Sequence, residues 1–205
     1  MTDPRTLLGA RPDAPSLRSF LATLTPKELS PEVKSYRDAV YLNYHTIGLS
    51  LQFIPTSGYK PASGLQLANL KNENLELDSL YIYNAPKTSP GGASSRTTFL
   101  GYPITPLVRA IAPDVKDKDD KPLERPSSID VLPTTSGKEF VQALLEPDRK
   151  GGGVGPSTGS IGIWCEWSKD GIMVEFGGDE AKGPKAWEQG KDAVWKVITL
   201  FPRTS

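Results

Sequence analysis

Ile161-Gly-Ile-Trp-Cys-Glu-Trp-Ser-Lys-Asp-Gly-Ile-Met-Val-Glu-Phe176 is the stretch that decides the fold class. Two alternating runs flank Asp170-Gly171, a dipeptide suited to the tight turn of a β-hairpin. Ile163, Cys165 and Trp167 share one face with Ile172, Val174 and Phe176, while Trp164, Glu166, Met173 and Glu175 take the other. If Trp167 pairs with Ile172, the pairs Cys165–Val174 and Ile163–Phe176 follow. A two-residue turn shifts the register by two and leaves the same residues inward, so the core face is fixed before the register is.

Further strands are read around this hairpin. Strand character runs from Val40 to Ile54, and within it Ile47, Leu49, Leu51 and Phe53 alternate with Gly48, Ser50 and Gln52. Leu75, Leu77, Tyr81 and Tyr83 are expected on one face of a strand at 75–84, with Leu80 and Ile82 on the opposite face. The run 194–201 is dense in β-branched and aromatic residues, which suits a paired strand. Helices are expected at Leu17–Leu24, from Ser30-Pro31 through Val33, Tyr36 and Val40, at 105–111 after Thr105-Pro106, and briefly at 184–188. Another is expected from Ser136, where Glu139 three residues on completes a capping box and Phe140, Val141, Leu144 and Leu145 supply the apolar face. No internal repeat is evident. The expectation is an α+β fold: residues 1–16 form an arm, flexible or wrapped on the body, and residues 17–205 form a single domain. Its antiparallel or mixed sheet packs against a few short helices, with a solvated, charge-rich excursion at 114–130.

Composition narrows the function classes. The 205 residues carry 24 Lys+Arg against 24 Asp+Glu, one His and one Cys. Balanced charge makes nucleic acid or an anionic membrane surface a poor default partner. A lone cysteine makes no intrachain disulfide, and one histidine excludes multi-imidazole metal sites. No apolar run is long enough to span a bilayer. The location expected is cytoplasmic, and neither a metal nor another cofactor is expected. The 19 Gly and 19 Pro exceed the ordinary share and concentrate in loops.

Individual residues offer chemistry, each beside a plainer role. Lys150-Gly-Gly-Gly-Val-Gly155 could turn backbone N–H groups toward an anion, but its lysine precedes the glycines and no helix follows, so the phosphate-loop pattern fails. Cys165 falls on the inward face and reads as a buried thiol. His45, between two strand-like runs, is a general base or a structural group. Glu166 and Glu175 share the outward hairpin face and could act as paired carboxylates. Asp117, Asp119 and Asp120 resemble a calcium loop only in composition. Asp179-Glu180 adds oxygens without a recognisable ligand set.

No convergent nucleophile, base and orienting group emerges, so the leading expectation is a non-enzymatic binding module. Trp164, Met173, Trp187 and Trp195 are its candidate apolar contacts, with Arg96, Lys150, Glu166 and Glu175 as polar ones. The alternative is a small metal-independent hydrolase or isomerase using His45 with nearby carboxylates or tyrosines. The partner is a protein or a small molecule, and a homo-oligomer built through an exposed strand is a third reading.

Overall fold

In the computed structural model, which describes residues 3–85, 98–117, 119–153 and 162–204, Pro15 opens the first helix, α1 (Pro15–Leu24). Leu17, Phe20 and Leu24 make its buried stripe, and Thr25 turns extended ahead of Pro26. The preceding arm wraps on its own unit: Leu7 is buried, and Gly9 and Ala10 exchange backbone hydrogen bonds with Leu77. Strands β1 (Glu32–Ser35), β2 (Val40–Tyr44), β3 (Leu49–Pro55) and β4 (Leu75–Tyr83) follow and pair in sequence order, each antiparallel to the next.

Two expectations are corrected here. The segment expected to be helical up to Val40 instead forms β1 and the turn into β2, closed by the Tyr36 N–H bonding to Ala39 O. Ladder bonds to β2 outweigh the local helical pattern, and Tyr36 is left half exposed while Val40 is fully buried. The two faces expected for β4 also merge. Register slips between Gln52 and Phe53, which face Ser79 and Leu77, so Asp78 is an extra residue in β4. That bulge resets the alternation. Leu75, Leu77, Leu80 and Ile82 are all buried, and Tyr81 and Tyr83 are turned away from them.

The chain forms two compact units, Met1–Ile104 with Leu200–Pro202 and Thr105–Thr199 with Arg203–Ser205. In the second, the segment expected to be helical at 105–111 is a strand, β5 (Leu107–Ala110), paired with β6 (Ser128–Val131). Leu107 and Arg109 alternate inward with Val108 and Ala110 outward, a period of two that overrides the Thr-Pro start signal. Helix α2 (Gly137–Leu144) carries the expected capping box, with both Ser136–Glu139 bonds present. Its buried side chains are Phe140 and Leu144, whereas Val141 and Leu145 are exposed. Strands β7 (Arg149–Gly151), β8 (Trp164–Trp167) and β9 (Ile172–Phe176) follow, then a short helix α3 (Ala186–Gln189) and β10 (Trp195–Leu200). In the sheet β7 neighbours β8, β8 neighbours β9, and β9 neighbours β10. The β8–β9 register pairs Trp167 with Ile172 and Cys165 with Val174, and Phe176 N–H bonds to Ile163 O. The fold is mixed α+β, with antiparallel sheet and a few short helices.

The structure also shows an internal repeat that the sequence hid. Each unit runs helix, edge strand, hairpin, closing strand: α1-β1-β2-β3-β4 in the first and α2-β7-β8-β9-β10 in the second. Both hairpins turn through one short 3-10 turn and a left-handed glycine, Gly48 at φ 56° and Gly171 at φ 63°. Aligned on these glycines and on the hairpin registers, Val40–Phe53 matches Ile163–Phe176 without a gap, so that Tyr41 corresponds to Trp164 and Gln52 to Glu175. Equivalent positions keep apolar or polar character more often than identity, and this is why the likeness escapes reading by residue.

Candidate functional site

The outward face of the first unit's sheet carries two cross-strand rows. Glu32, Asn43, Ser50 and Tyr81 occupy one, and Lys34, Tyr41, Gln52 and Ser79 the next. The first row is wired laterally: Ser50 Oγ donates to Asn43 Oδ1 at 2.7 Å, and Asn43 Nδ2 donates to Glu32 Oε2 at 3.3 Å. Ser50's proton therefore points at an amide oxygen, which cannot remove it, and the hydroxyl is not an activated nucleophile. Rings cover the second row. Tyr41 lies 6.1 Å from Tyr36 and 6.5 Å from Tyr81, and Tyr81 donates its hydroxyl to Gln52 Oε1. Partial burial, with Asp38 nearby, raises the Tyr41 phenol above its ordinary pKa, so it stays protonated and able to donate. Ser50, Asn43 and Ser79 are buried on a face that strand alternation alone would leave wet.

His45 stands at the rim of this face, on the turn between β2 and β3. Its Nε2 is 2.9 Å from Glu32 Oε2. That bond is the largest influence holding the Glu32 carboxyl below its ordinary pKa; Asn43 and Lys34 add to it and partial burial opposes it. The ring packs 4.2 Å from Phe99, which stacks on Tyr83 at 3.8 Å with the planes 2° apart. Backbone bonds set this up: Leu100 N–H reaches His45 O, and Tyr102 N–H reaches Tyr83 O. Leu100 O also approaches Gly48 so closely that a Cβ there would collide with it. The remaining imidazole nitrogen, Nδ1, is buried and has no hydrogen-bond partner among the described residues. A glutamate thus orients the imidazole, but the nitrogen left over faces protein instead of a space where a substrate could sit.

The residues picked from sequence in the second unit divide. Trp164, Glu166, Met173 and Glu175 do share the outward face of the hairpin, all half-buried. Glu166 faces Met173 and Glu175 faces Trp164, so the two carboxylates are diagonal neighbours. Glu166 already accepts from Ser168 Oγ at 2.6 Å. Burial raises the Glu175 carboxyl above its ordinary pKa, with Lys196 partly offsetting it. Trp187 is exposed, with the Lys150 ammonium 6.0 Å above its ring and 2.9 Å from Glu146 Oε1. Trp195 is no surface group: it is 5% exposed and its indole N–H donates to Leu132 O at 2.8 Å, a core anchor fixed by burial. Arg96 lies outside the described residues. Cys165 is buried, which pushes its thiol up to about 11, the inert state expected of it. Close packing accounts for Gly151, where a Cβ would lie 2.6 Å from Trp164 Cζ2; Val154 and Gly155 lie outside the described residues.

The charged excursion has more structure than its composition suggests. Val115 is buried and Lys116 bridges to Pro122, although most of the other described residues from 116 to 128 are exposed. Its base is fastened by Arg125, whose guanidinium meets Asp170 at 2.6 and 3.2 Å and donates to Ala112 O and Leu144 O. Asp170, the turn residue of the hairpin motif, also accepts from Ala112 N–H. A cleft of about 280 Å³ opens here, lined by this ion pair with Lys116, Asp148, Trp167 and Lys169 among others. Arg125 and Asp170 are bonded to each other and to backbone, while Lys116 pairs with Asp120 and Glu146 with Lys150, so the cleft reads as the seam of a docked hairpin.

Among the described residues, no group of three or more His, Cys, Asp and Glu is placed to hold a metal ion, and no helix is long and apolar enough to cross a membrane. Glu32, Tyr36, Tyr41, Tyr81 and Phe99 were not singled out from sequence. The strand character that begins at Val40 puts Tyr41 on the face opposite Val40 and Leu42, which was the available signal; the stacking of Phe99 had none. Family models, curated proteins and solved structures were all compared with the chain, and none matches it.

Proposed function

We propose that this protein is a binding module whose recognition surface is the outward face of the first unit's sheet. The observation carrying this is the continuous array of Tyr36, Tyr41 and Tyr81 beside the wired row Glu32–Asn43–Ser50. Tyrosines offer rigid apolar area with a polar tip, and few rotamers are frozen when they are used. The accessible polar groups alongside, the Glu32 carboxylate and the Gln52 amide, are held by Asn43 and Tyr81 before any ligand arrives, which lowers the ordering cost of binding. Such a face suits a neutral ligand that presents both C–H surface and hydroxyl or amide groups. Chemical-shift mapping of the labelled protein against neutral oligosaccharides and uncharged peptides tests it. Saturable shifts are expected on β1–β4, abolished by Tyr41→Ala with the fold intact; shifts confined to other elements refute the assignment.

A second reading, an enzyme using His45, is favoured by the 2.9 Å contact to Glu32. The burial of Nδ1 weighs against it. Hydrolysis or isomerisation lost in His45→Gln at unchanged stability would revive it.

A further inference from the structure

Arg149 lies on the three-residue strand β7, at the end of the sheet order, with its side chain 69% exposed. Its guanidinium nevertheless sits 6.0 Å from the Trp164 ring centroid and 3.4 and 3.5 Å from the two oxygens of Glu166. Gly151 beneath the indole has no Cβ, so the ring lies against bare backbone. Directly across from Trp164 stands Glu175, half-buried and making no hydrogen bond or ion pair among the described residues. A desolvated carboxyl left unpaired beside an aromatic ring is costly unless something cationic completes it. Lys196, exposed on β10, is the other charge near Glu175, and Lys150 is engaged by Glu146 and Trp187.

We propose that this face of the second unit receives a basic side chain from a partner polypeptide, seated on Trp164 between Glu166 and Glu175, and that Arg149 is the displaceable occupant holding its place. An arginine fits best, because a planar guanidinium can stack on the indole while its N–H groups reach both carboxylates. Arg149 makes only long contacts from an exposed position on a short strand, and exposed pairs of that kind contribute little. A partner's arginine that also reaches Glu175 therefore outcompetes it. The site is separate from the tyrosine face of the first unit, so either assignment can fail without the other.

The test is calorimetric titration of the full chain with an acetylated Gly-Arg repeat peptide, with a Gly-Glu repeat peptide as control. Arg149→Ala is expected to bind the basic peptide about tenfold tighter than the wild type, by about 1.4 kcal/mol. Lys27→Ala, which removes the same charge elsewhere, should leave affinity unchanged. Trp164→Leu and Glu175→Gln should each weaken binding about tenfold. If Trp164→Leu does not fold, Glu175→Gln, which keeps the shape of the side chain, carries the test. Arg149→Ala binding no tighter than wild type, Glu175→Gln binding equally well, or the acidic peptide binding as tightly as the basic one would each overturn the proposal.

Discussion

Breaking the Arg125–Asp170 pair should damage the second unit more than any comparable charge removal. Both side chains are 4% exposed, and the closest approach is 2.6 Å. Asp170→Ala leaves the guanidinium buried without a counter-ion, although Ala112 O and Leu144 O still accept from it. It also orphans the Ala112 N–H. Removing one partner of a buried pair costs about 3–5 kcal/mol. For a chain of this size, that lowers Tm by roughly 6–20 °C. The double variant Arg125→Met, Asp170→Ala removes the stranded charge and should recover part of the loss. Full recovery is not expected, because both backbone carbonyls and one N–H lose their partners at about 1–3 kcal/mol for each group left buried. Urea unfolding of the wild type, both single variants and the double variant gives the coupling directly. Limited proteolysis should find 112–125 cut faster in either single variant, since its anchor is gone. A loss below about 1 kcal/mol in Asp170→Ala, typical of a surface pair, would refute the view that this pair pins the excursion to the hairpin turn.

Three other outcomes follow from single positions. Gly48→Ala places a Cβ at φ 56° against Leu100 O and should cost well over the roughly 1–2 kcal/mol of left-handed strain; Gly9→Ala, at φ 80° with open space around it, should cost that strain alone, as thermal unfolding of the two variants will show. Glu175 has its folded pKa raised by burial, so the fold favours its protonated form, a contribution complete below the unfolded value near 4.5 and lost as pH rises through the folded one. Glu175→Gln should therefore be more stable than wild type at pH 7, with the gap closing below about pH 4 in a stability–pH series. Ser136→Ala removes the cap of α2 and should cost about 1 kcal/mol by denaturant midpoint.

Much of the second unit is legible in one dimension because its determinants are local. Alternation gave the inward set Cys165, Trp167, Ile172 and Val174, and Ser136 with Glu139 marked the start of α2. Where local signals mislead, a distant strand decides. Residues 32–35 carry a helix-start pattern but become a strand because β2 offers them a ladder, and Asp78 bulges because β3 fixes the register on either side of it. Trp195 looks from its alternation like a surface aromatic, yet Leu132 O, far along the chain, accepts its N–H in the core.

The candidate sites follow the same division. Trp164, Glu166, Met173 and Glu175 were found together because a hairpin brings near neighbours in sequence onto one face. The contact of His45 with Glu32, the stack on Phe99 and the anchoring of Arg125 by Asp170 join residues that no spacing rule connects. The sequence by itself determined the α+β class, the core face of the hairpin and the inert state of Cys165, since periodicity and the burial of a thiol need only neighbours. Only the tertiary structure decided which polar groups meet, and that the two units repeat one plan. Such contacts depend on sheet register and chain crossing, and substitution that preserves hydrophobic pattern erases the likeness of the residues while leaving the backbone path in place.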